Sequence, residues 1–335
     1  MIAGIQIRFD RKTWISLAVA MPLAAALLWL ALRNIDLAEV WEKLKSARGG
    51  WFAVAVAAQA VALVLRAIRW RALLNAEGAL SLGTVFSAMS AGYLGNNIFP
   101  ARMGELIRTA AVSWSGSLSL GYVFATAMTE RLIDAAALLV VASTALSAAA
   151  GMPEWLRGAA RGLALVSGAG ILAIIALPRL EMLFLRLLRR VPLGKRAEGL
   201  ASQFVLGLRA LHNPARAFQF LGLTAIIWPL DGFMALVVGW SLEVQLGFPR
   251  AMLLIAALGL SSAIPSTPGY VGVYQFAAVT VLSPLGVAKA DALAVVLLVQ
   301  AAIYLVMTVA GLAGIAALNR LRSQTSRDSS SAQRE

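Results

Sequence analysis

Cysteine is absent from the 335 residues of the chain, histidine occurs once, and charged residues make up only 13%. Without thiols there are no disulfides, thiolate nucleophiles, iron–sulfur ligands or Cys-bound zinc. The lone His212, set among Arg209, Asn213 and Arg216, supplies no transition-metal ligand set. The phosphate-cradling pattern G-x-x-x-x-G-K-[ST] is also missing, so no ATP-driven step is expected. Neither a metal nor a cofactor is expected. Carboxylates, guanidinium groups, hydroxyls and amides remain for chemistry.

What is abundant is apolar. Residues of the set AVILMFWYC make up 60% of the chain, against roughly 45–50% in soluble domains, and the mean hydropathy is +0.79. Several apolar runs approach the ~20 residues that cross a bilayer core. Soluble enzyme, disordered scaffold, fibre and porin are excluded. The expected class is an all-α, polytopic membrane protein with one membrane domain over 1–335.

The runs are Trp14–Leu32, Trp51–Leu65, Leu120–Ala150, Ala159–Leu177, Phe218–Leu242 and Ala292–Leu318. A cleaved signal peptide competes for the first run, but cleavage near Ala26 would leave too short an apolar stretch, so it is read as an uncleaved span. Two further segments, Leu82–Ser115 and Ala251–Leu285, break near their middles. The first carries Gly92, Gly95, Asn96, Asn97 and Pro100 after ten good helix residues, Leu82–Ala91. The second carries Pro265, Ser266, Thr267, Pro268 and Gly269. No continuous helix holds such a series comfortably. Each segment reads as a re-entrant hairpin or as two kinked spans. The hairpin reading gives six full transmembrane helices plus two hairpins, eight hydrophobic segments in all.

Sidedness follows from Lys and Arg. With a cytoplasmic N-terminus, the stretches 1–13, 66–81, 178–217 and 319–335 hold 18 Lys/Arg against 6 Asp/Glu, and the opposite side holds 8 against 6. Both termini are then cytoplasmic in a cell inner membrane. The net charge of +13 belongs to the membrane surface and not to nucleic acid. The basic linker 178–217 reads as an interfacial amphipathic stretch or a plain solvated connection. The tail 319–335, Ser-rich near its end, reads as disordered.

The two breaks share Pro-x-x-x-Gly, as Pro100…Gly104 and Pro268…Gly272, and each is expected to begin a new helix with Pro near its first position. Each hairpin is flanked by full spans, about 51–150 in one half and 218–318 in the other. The hairpins would enter from opposite sides. Coincidence and an inverted repeat both fit so short a likeness; inverted-repeat transporters hold their sites near the midplane, at broken-helix ends.

Charge at membrane depth is a functional hypothesis by default. Arg102, Glu105 and Arg108 follow at spacings of three and can pair in series. Glu130 and Asp134 are four apart and need a cation between them, either Arg131 or a hairpin arginine. A purely structural ion-pair network is the competing reading.

Leu65-Arg66-Ala67-Ile68-Arg69-Trp70, Gly92…Asn96…Pro100-Ala-Arg102-Met-Gly104-Glu105-Leu-Ile-Arg108, Glu130-Arg131-Leu-Ile-Asp134 and Pro268-Gly-Tyr-Val-Gly272 occur in that order. Together they resemble the transmembrane-region family of lysylphosphatidylglycerol synthases, the flippase-like family, over about 14–318. The resemblance implies movement of a lipid headgroup between leaflets. It also implies that the soluble synthase domain of the two-part enzymes is missing here. Stand-alone members look like carriers of other lipids, isoprenoid-linked ones included. The chain departs from the family at Gln275 and Gln300, where Glu and Arg are usual. Paired replacement by amides is consistent with the two facing each other.

The expected function is therefore an inner-membrane lipid flippase that performs no chemical step. Arg102, Arg108 and Arg131 would hold phosphate, with Glu105, Glu130 and Asp134 as counter-charges. Asn96, Asn97, Gln275 and Gln300 would make polar contacts, and Gly92, Pro100, Gly104, Pro268 and Gly272 would shape the apices. The partners are anionic or isoprenoid-linked lipids, with a lipid-biosynthesis enzyme as a further candidate. The competing functions are a Mg-dependent lipid-phosphate transferase and a non-transporting accessory subunit of an envelope-biosynthesis complex.

Overall fold

The computed structural model describes residues 11–99, 103–116, 118–147, 154–176, 207–264 and 267–332. Pro100, Arg102 and most of the basic linker lie outside them. The described residues form eleven α-helices and no strand: α1 (Arg11–Leu32), α2 (Leu37–Lys45), α3 (Gly49–Leu74), α4 (Leu82–Ile98), α5 (Met103–Gly116), α6 (Leu120–Ser147), α7 (Glu154–Ala176), α8 (Pro214–Ser241), α9 (Phe248–Ser261), α10 (Val273–Leu282) and α11 (Lys289–Ala332). Among the described residues, three helical stretches can cross a membrane by length and composition: Gly49–Leu74, Pro214–Ser241 and Lys289–Gln324. Large apolar side chains such as Leu165, Val166, Phe218 and Leu312 face outward, which hydrocarbon tolerates and water does not.

Local chemistry starts the helices where the backbone needs it. The Asn213 side chain accepts from the N–H groups of Ala215 and Arg216, with Pro214 at the first position of α8, where a missing N–H costs nothing. The Ser81 hydroxyl accepts from Thr84 at the start of α4.

Two four-helix units, α3–α6 and α8–α11, pack with the same pattern. α3 lies on α8. α4 packs on α11, as α9 packs on α6. Within each unit the hairpin arms pair, and the second arm leans on the long helix that follows. Exchanging the units leaves this pattern unchanged. α3 and α8 run antiparallel: Arg48 pairs with Glu243, Arg66 with Asp231 and Arg69 with Thr224, and Arg216 reaches the Asn75 carbonyl. An axis that swaps two antiparallel neighbours lies perpendicular to both.

Each hairpin also begins and ends at one end of the molecule. Gly78 and Leu80, before α4, lie with Leu118, after α5. Glu243, before α9, pairs with Arg48, and Asp291, beyond α10, pairs with Lys43, five residues from Arg48. The two sets sit at opposite ends, because the first adjoins Asn75 and the second adjoins Arg48.

Four expectations change. α4 does not stop at Gly92 but runs 17 residues to Ile98, about 25 Å at 1.5 Å per residue. Gly92 is there for close packing: a Cβ would lie 2.7 Å from both the Arg108 Cβ and the Gly104 carbonyl oxygen. The second hairpin helix does not start at Pro268. That residue opens a single 3₁₀ turn, Pro268–Tyr270, and α10 begins at Val273 after positive-φ Gly269, Tyr270 and Gly272. The backbone is helical through Ala332, into the tail read as disordered. Finally, α3 continues past Leu65 to Leu74, so Arg66 and Arg69 belong to a helix and not to a loop, with Arg69 buried.

Candidate functional site

Arg69 lies at the centre of the buried charge. Its side chain is 1% exposed, and its guanidinium clamps Asp134 with two bonds of 2.7 and 2.8 Å. The same group donates to Glu130 at 2.8 Å and to Thr224 at 3.0 Å. Glu130 reaches on to Arg108 at 2.9 Å, Arg108 to Glu105 at 2.6 Å, and Glu105 to Arg131 at 2.5 Å. The chain of ion pairs thus joins α3, α5 and α6. Aromatic faces cover its cations: Phe220 lies 5.0 Å from Arg69, and Trp70 lies 4.6 Å from Arg108. A guanidinium suits this place because its planar fork serves two carboxylates at once.

A separate pair, Arg66 and Asp231, bridges α3 and α8. Arg66 also lies 5.8 Å from the Trp228 ring. Counting both groups, the arginines at 66, 69, 108 and 131 face carboxylates at 105, 130, 134 and 231. Among the described residues the network is therefore neutral, as low-dielectric surroundings favour.

Beside it, between the two four-helix units, lies a cavity of about 140 Å³. From the first unit it is lined by Gln59 and Arg66 of α3, Tyr93, Asn96 and Asn97 of α4, and Arg131 and Asp134 of α6. From the second come Trp228 and Asp231 of α8, Tyr270, Tyr274 of α10, and Gln300 and Tyr304 of α11, with apolar side chains from α9. Tyr270 and Tyr274 stack with ring centres 4.9 Å apart. Both hairpin apices thus reach one polar space.

The wall near the second apex is held by amides. Gln275 accepts from the Gly272 N–H at 2.7 Å and donates to Gln300 at 2.5 Å, while Gln300 donates to Tyr304 and to the Gly269 carbonyl. The expected Gln275–Gln300 contact is present. It joins α10 to α11 as Arg108–Glu130 joins α5 to α6, so one unit holds its hairpin with charge and the other with neutral hydrogen bonds.

The site named from the sequence is therefore divided. Asn96, Asn97, Arg131, Asp134 and Gln300 line the cavity, and Gln275 lies directly behind. Glu105, Arg108 and Glu130 are buried and bonded to one another, away from the opening. Arg102 is outside the described residues. Arg131 is not the cation between Glu130 and Asp134: it turns to Glu105, and Arg69, one helix away, fills that gap. Arg66, Arg69, Asp231, Trp228 and the tyrosines were missed as site residues. A signal for the arginines was available, since 66 and 69 lie three apart in a stretch whose other residues through Leu74, Arg71 apart, are apolar.

The family model described as "Lysylphosphatidylglycerol synthase TM region" matches residues 13–311. The chain is also similar to Glycosyltransferase AglD of Haloferax volcanii, with 26% identity over 91% of its length, and it spans 55% of the length of that protein. With its apolar helices and its buried, paired charge, this multi-pass membrane protein has a lipid-related role and belongs to the lysylphosphatidylglycerol synthase transmembrane-region family.

Proposed function

We propose that the protein is a lipid flippase of a cell inner membrane, with both termini cytoplasmic, that moves a phospholipid or isoprenoid-linked headgroup between leaflets without changing it chemically. The observation that carries this is the cavity between two units of like packing and antiparallel relation, lined from both sides. In a membrane, a two-fold axis perpendicular to α3 and α8 lies in the bilayer plane. The units are then inverted repeats and the hairpins re-entrant. Rocking one repeat against the other would open the cavity to each side in turn.

Phosphate recognition falls to Arg66 and Arg131 and not to Arg108. The first two line the cavity, and Arg66 Nη1 and Arg131 Nε have no protein partner. Arg108 also has an unpartnered nitrogen, Nη2, but it does not line the cavity and is fully buried between Glu105 and Glu130. The tyrosines and Trp228 supply flat faces and polar tips for the rest of the headgroup. A relative named as a glycosyltransferase supports a sugar-bearing lipid among the cargo candidates. Enzymes that make such lipids are candidate partners.

The test is a reconstituted liposome carrying a trace of fluorescent phosphatidylglycerol, with dithionite added outside. Bleaching beyond the outer half, faster than in protein-free liposomes and with intact lipid recovered afterwards, supports flipping. A plateau at one half removes the transport reading. Conversion of the lipid on addition of Mg²⁺ would establish the transferase instead.

A further inference from the structure

The four buried carboxylates are not held alike. Both oxygens of Asp134 bind Arg69, Glu130 divides its two between Arg69 and Arg108, and Glu105 divides its two between Arg108 and Arg131. Asp231 has one partner, Arg66, through Oδ2. Its Oδ1 is buried without a protein partner, and the residue is 5% exposed on the cavity wall. Arg66 mirrors this, with Nη2 on Asp231 and Nη1 unpartnered. The least saturated pair of the network is thus the one with both members on the cavity wall, and it also ties one repeat to the other through α3 and α8.

Resting on the transport reading above, we infer that Asp231 is a proton-binding site that couples lipid movement to a proton gradient. A headgroup phosphate entering the cavity competes with Asp231 for the Arg66 guanidinium, since carboxylate and phosphate present the same acceptor geometry to it. Displacement would leave Asp231 ionised and unpaired at low dielectric, the costliest state available to it. One proton from water on the entry side turns the carboxylate into a carboxylic acid. The phosphate then brings one negative charge and the proton one positive charge, so the network stays neutral throughout. When the lipid leaves on the far side, Arg66 returns to Asp231 and the proton is released there.

The other charged and titratable groups around Asp231 leave it this role. Arg69, beside Arg66 on α3, gives both of its Nη groups to Asp134, Glu130 and Thr224. Asp134 of α6 is held at both oxygens, and Arg131 of α6 pairs through Nη2 with Glu105 and not with Asp231, keeping Nε for phosphate. Tyr93 of α4, Tyr270 and Tyr274 at the second apex and Tyr304 of α11 are phenols, and α9 presents no titratable side chain to the cavity.

The coupling has a stoichiometric signature. With one proton per phosphate monoanion, a pH difference of one unit should hold about a tenfold leaflet asymmetry, because 1.4 kcal/mol is a factor of ten. Moving no net charge, the step should ignore membrane potential. Proteoliposomes of phosphatidylcholine with trace fluorescent phosphatidylglycerol test this, with internal pyranine reporting pH and valinomycin setting potential. In the unmutated protein, asymmetry should follow the pH difference and not the potential. In Asp231→Asn, the pH-driven asymmetry should vanish. Lipid movement that ignores the pH difference, or Asp231→Asn that keeps the tenfold asymmetry, overturns the inference and leaves the transport reading intact. If the unmutated protein moves no lipid, the transport reading fails and the coupling falls with it. Should Asp231→Asn not fold, the unmutated protein's response to pH and potential decides alone.

Discussion

Replacing Arg69 with alanine should destabilise the protein more than any other single charge removal, and the geometry says by how much. The side chain is 1% exposed and makes two bonds to Asp134, one to Glu130 and one to Thr224. Glu130 keeps Arg108 after the change, but Asp134 loses both of its bonds. One carboxylate, not two, is therefore left buried and unpaired, at a cost of about 3–5 kcal/mol. At about 2–4 °C per kcal/mol, the melting temperature should fall on the order of 10 °C. Arg69→Lys, which reaches one carboxylate but not two, should fall between. Adding Asp134→Asn to Arg69→Ala removes the stranded charge and should recover part of the loss. The assay is fluorescence-detected size exclusion after a temperature series on detergent-solubilised protein. A melting temperature for Arg69→Ala within about 2 °C of the parent, with no effect of the second change, would refute the assignment of Arg69 as the clamp.

Arg131→Ala should show the opposite balance: the side chain is 33% exposed, and Glu105 retains Arg108 at 2.6 Å, so stability should change by less than about 1 kcal/mol. Phosphatidylglycerol flipping in liposomes should nevertheless fall sharply, and unchanged flipping would remove Arg131 from the site. Gly92→Ala should destabilise by about 1–3 kcal/mol, read as lost melting temperature, since the added methyl would meet Arg108 and the Gly104 carbonyl at 2.7 Å. Single cysteines at Ser119 and Ala288, both exposed in a chain without native cysteine, should react with an impermeant thiol reagent from opposite sides of oriented vesicles. Labelling from one side only would rule out the inverted arrangement.

The class of the protein and the rough course of its helices were legible in composition and apolar run length, because a bilayer imposes its thickness on any chain that crosses it. So were the Glu105–Arg108 pair, whose i, i+3 spacing is local, and the Gln275–Gln300 contact, where two unusual amides stood in for opposite charges. Helix limits were less legible. Gly92 and Gly95 read as breakers, but a glycine tolerated inside α4 for the sake of a neighbouring helix carries the same letter as one that ends a helix.

The partner of each buried charge was not written in the chain order at all. Glu130 and Asp134 required a cation, and Arg131 was the nearest in sequence, yet Arg69 arrives from 61 and 65 residues away because α3 packs beside α6. Asp231, 165 residues from Arg66, meets it only because α3 and α8 lie antiparallel. Composition and periodicity determine that a segment is helical and buried, since those properties depend on a residue and its near neighbours. Which carboxylate is saturated and which faces the cavity with a free oxygen depends on how the helices dock, and that was decided by the tertiary structure alone.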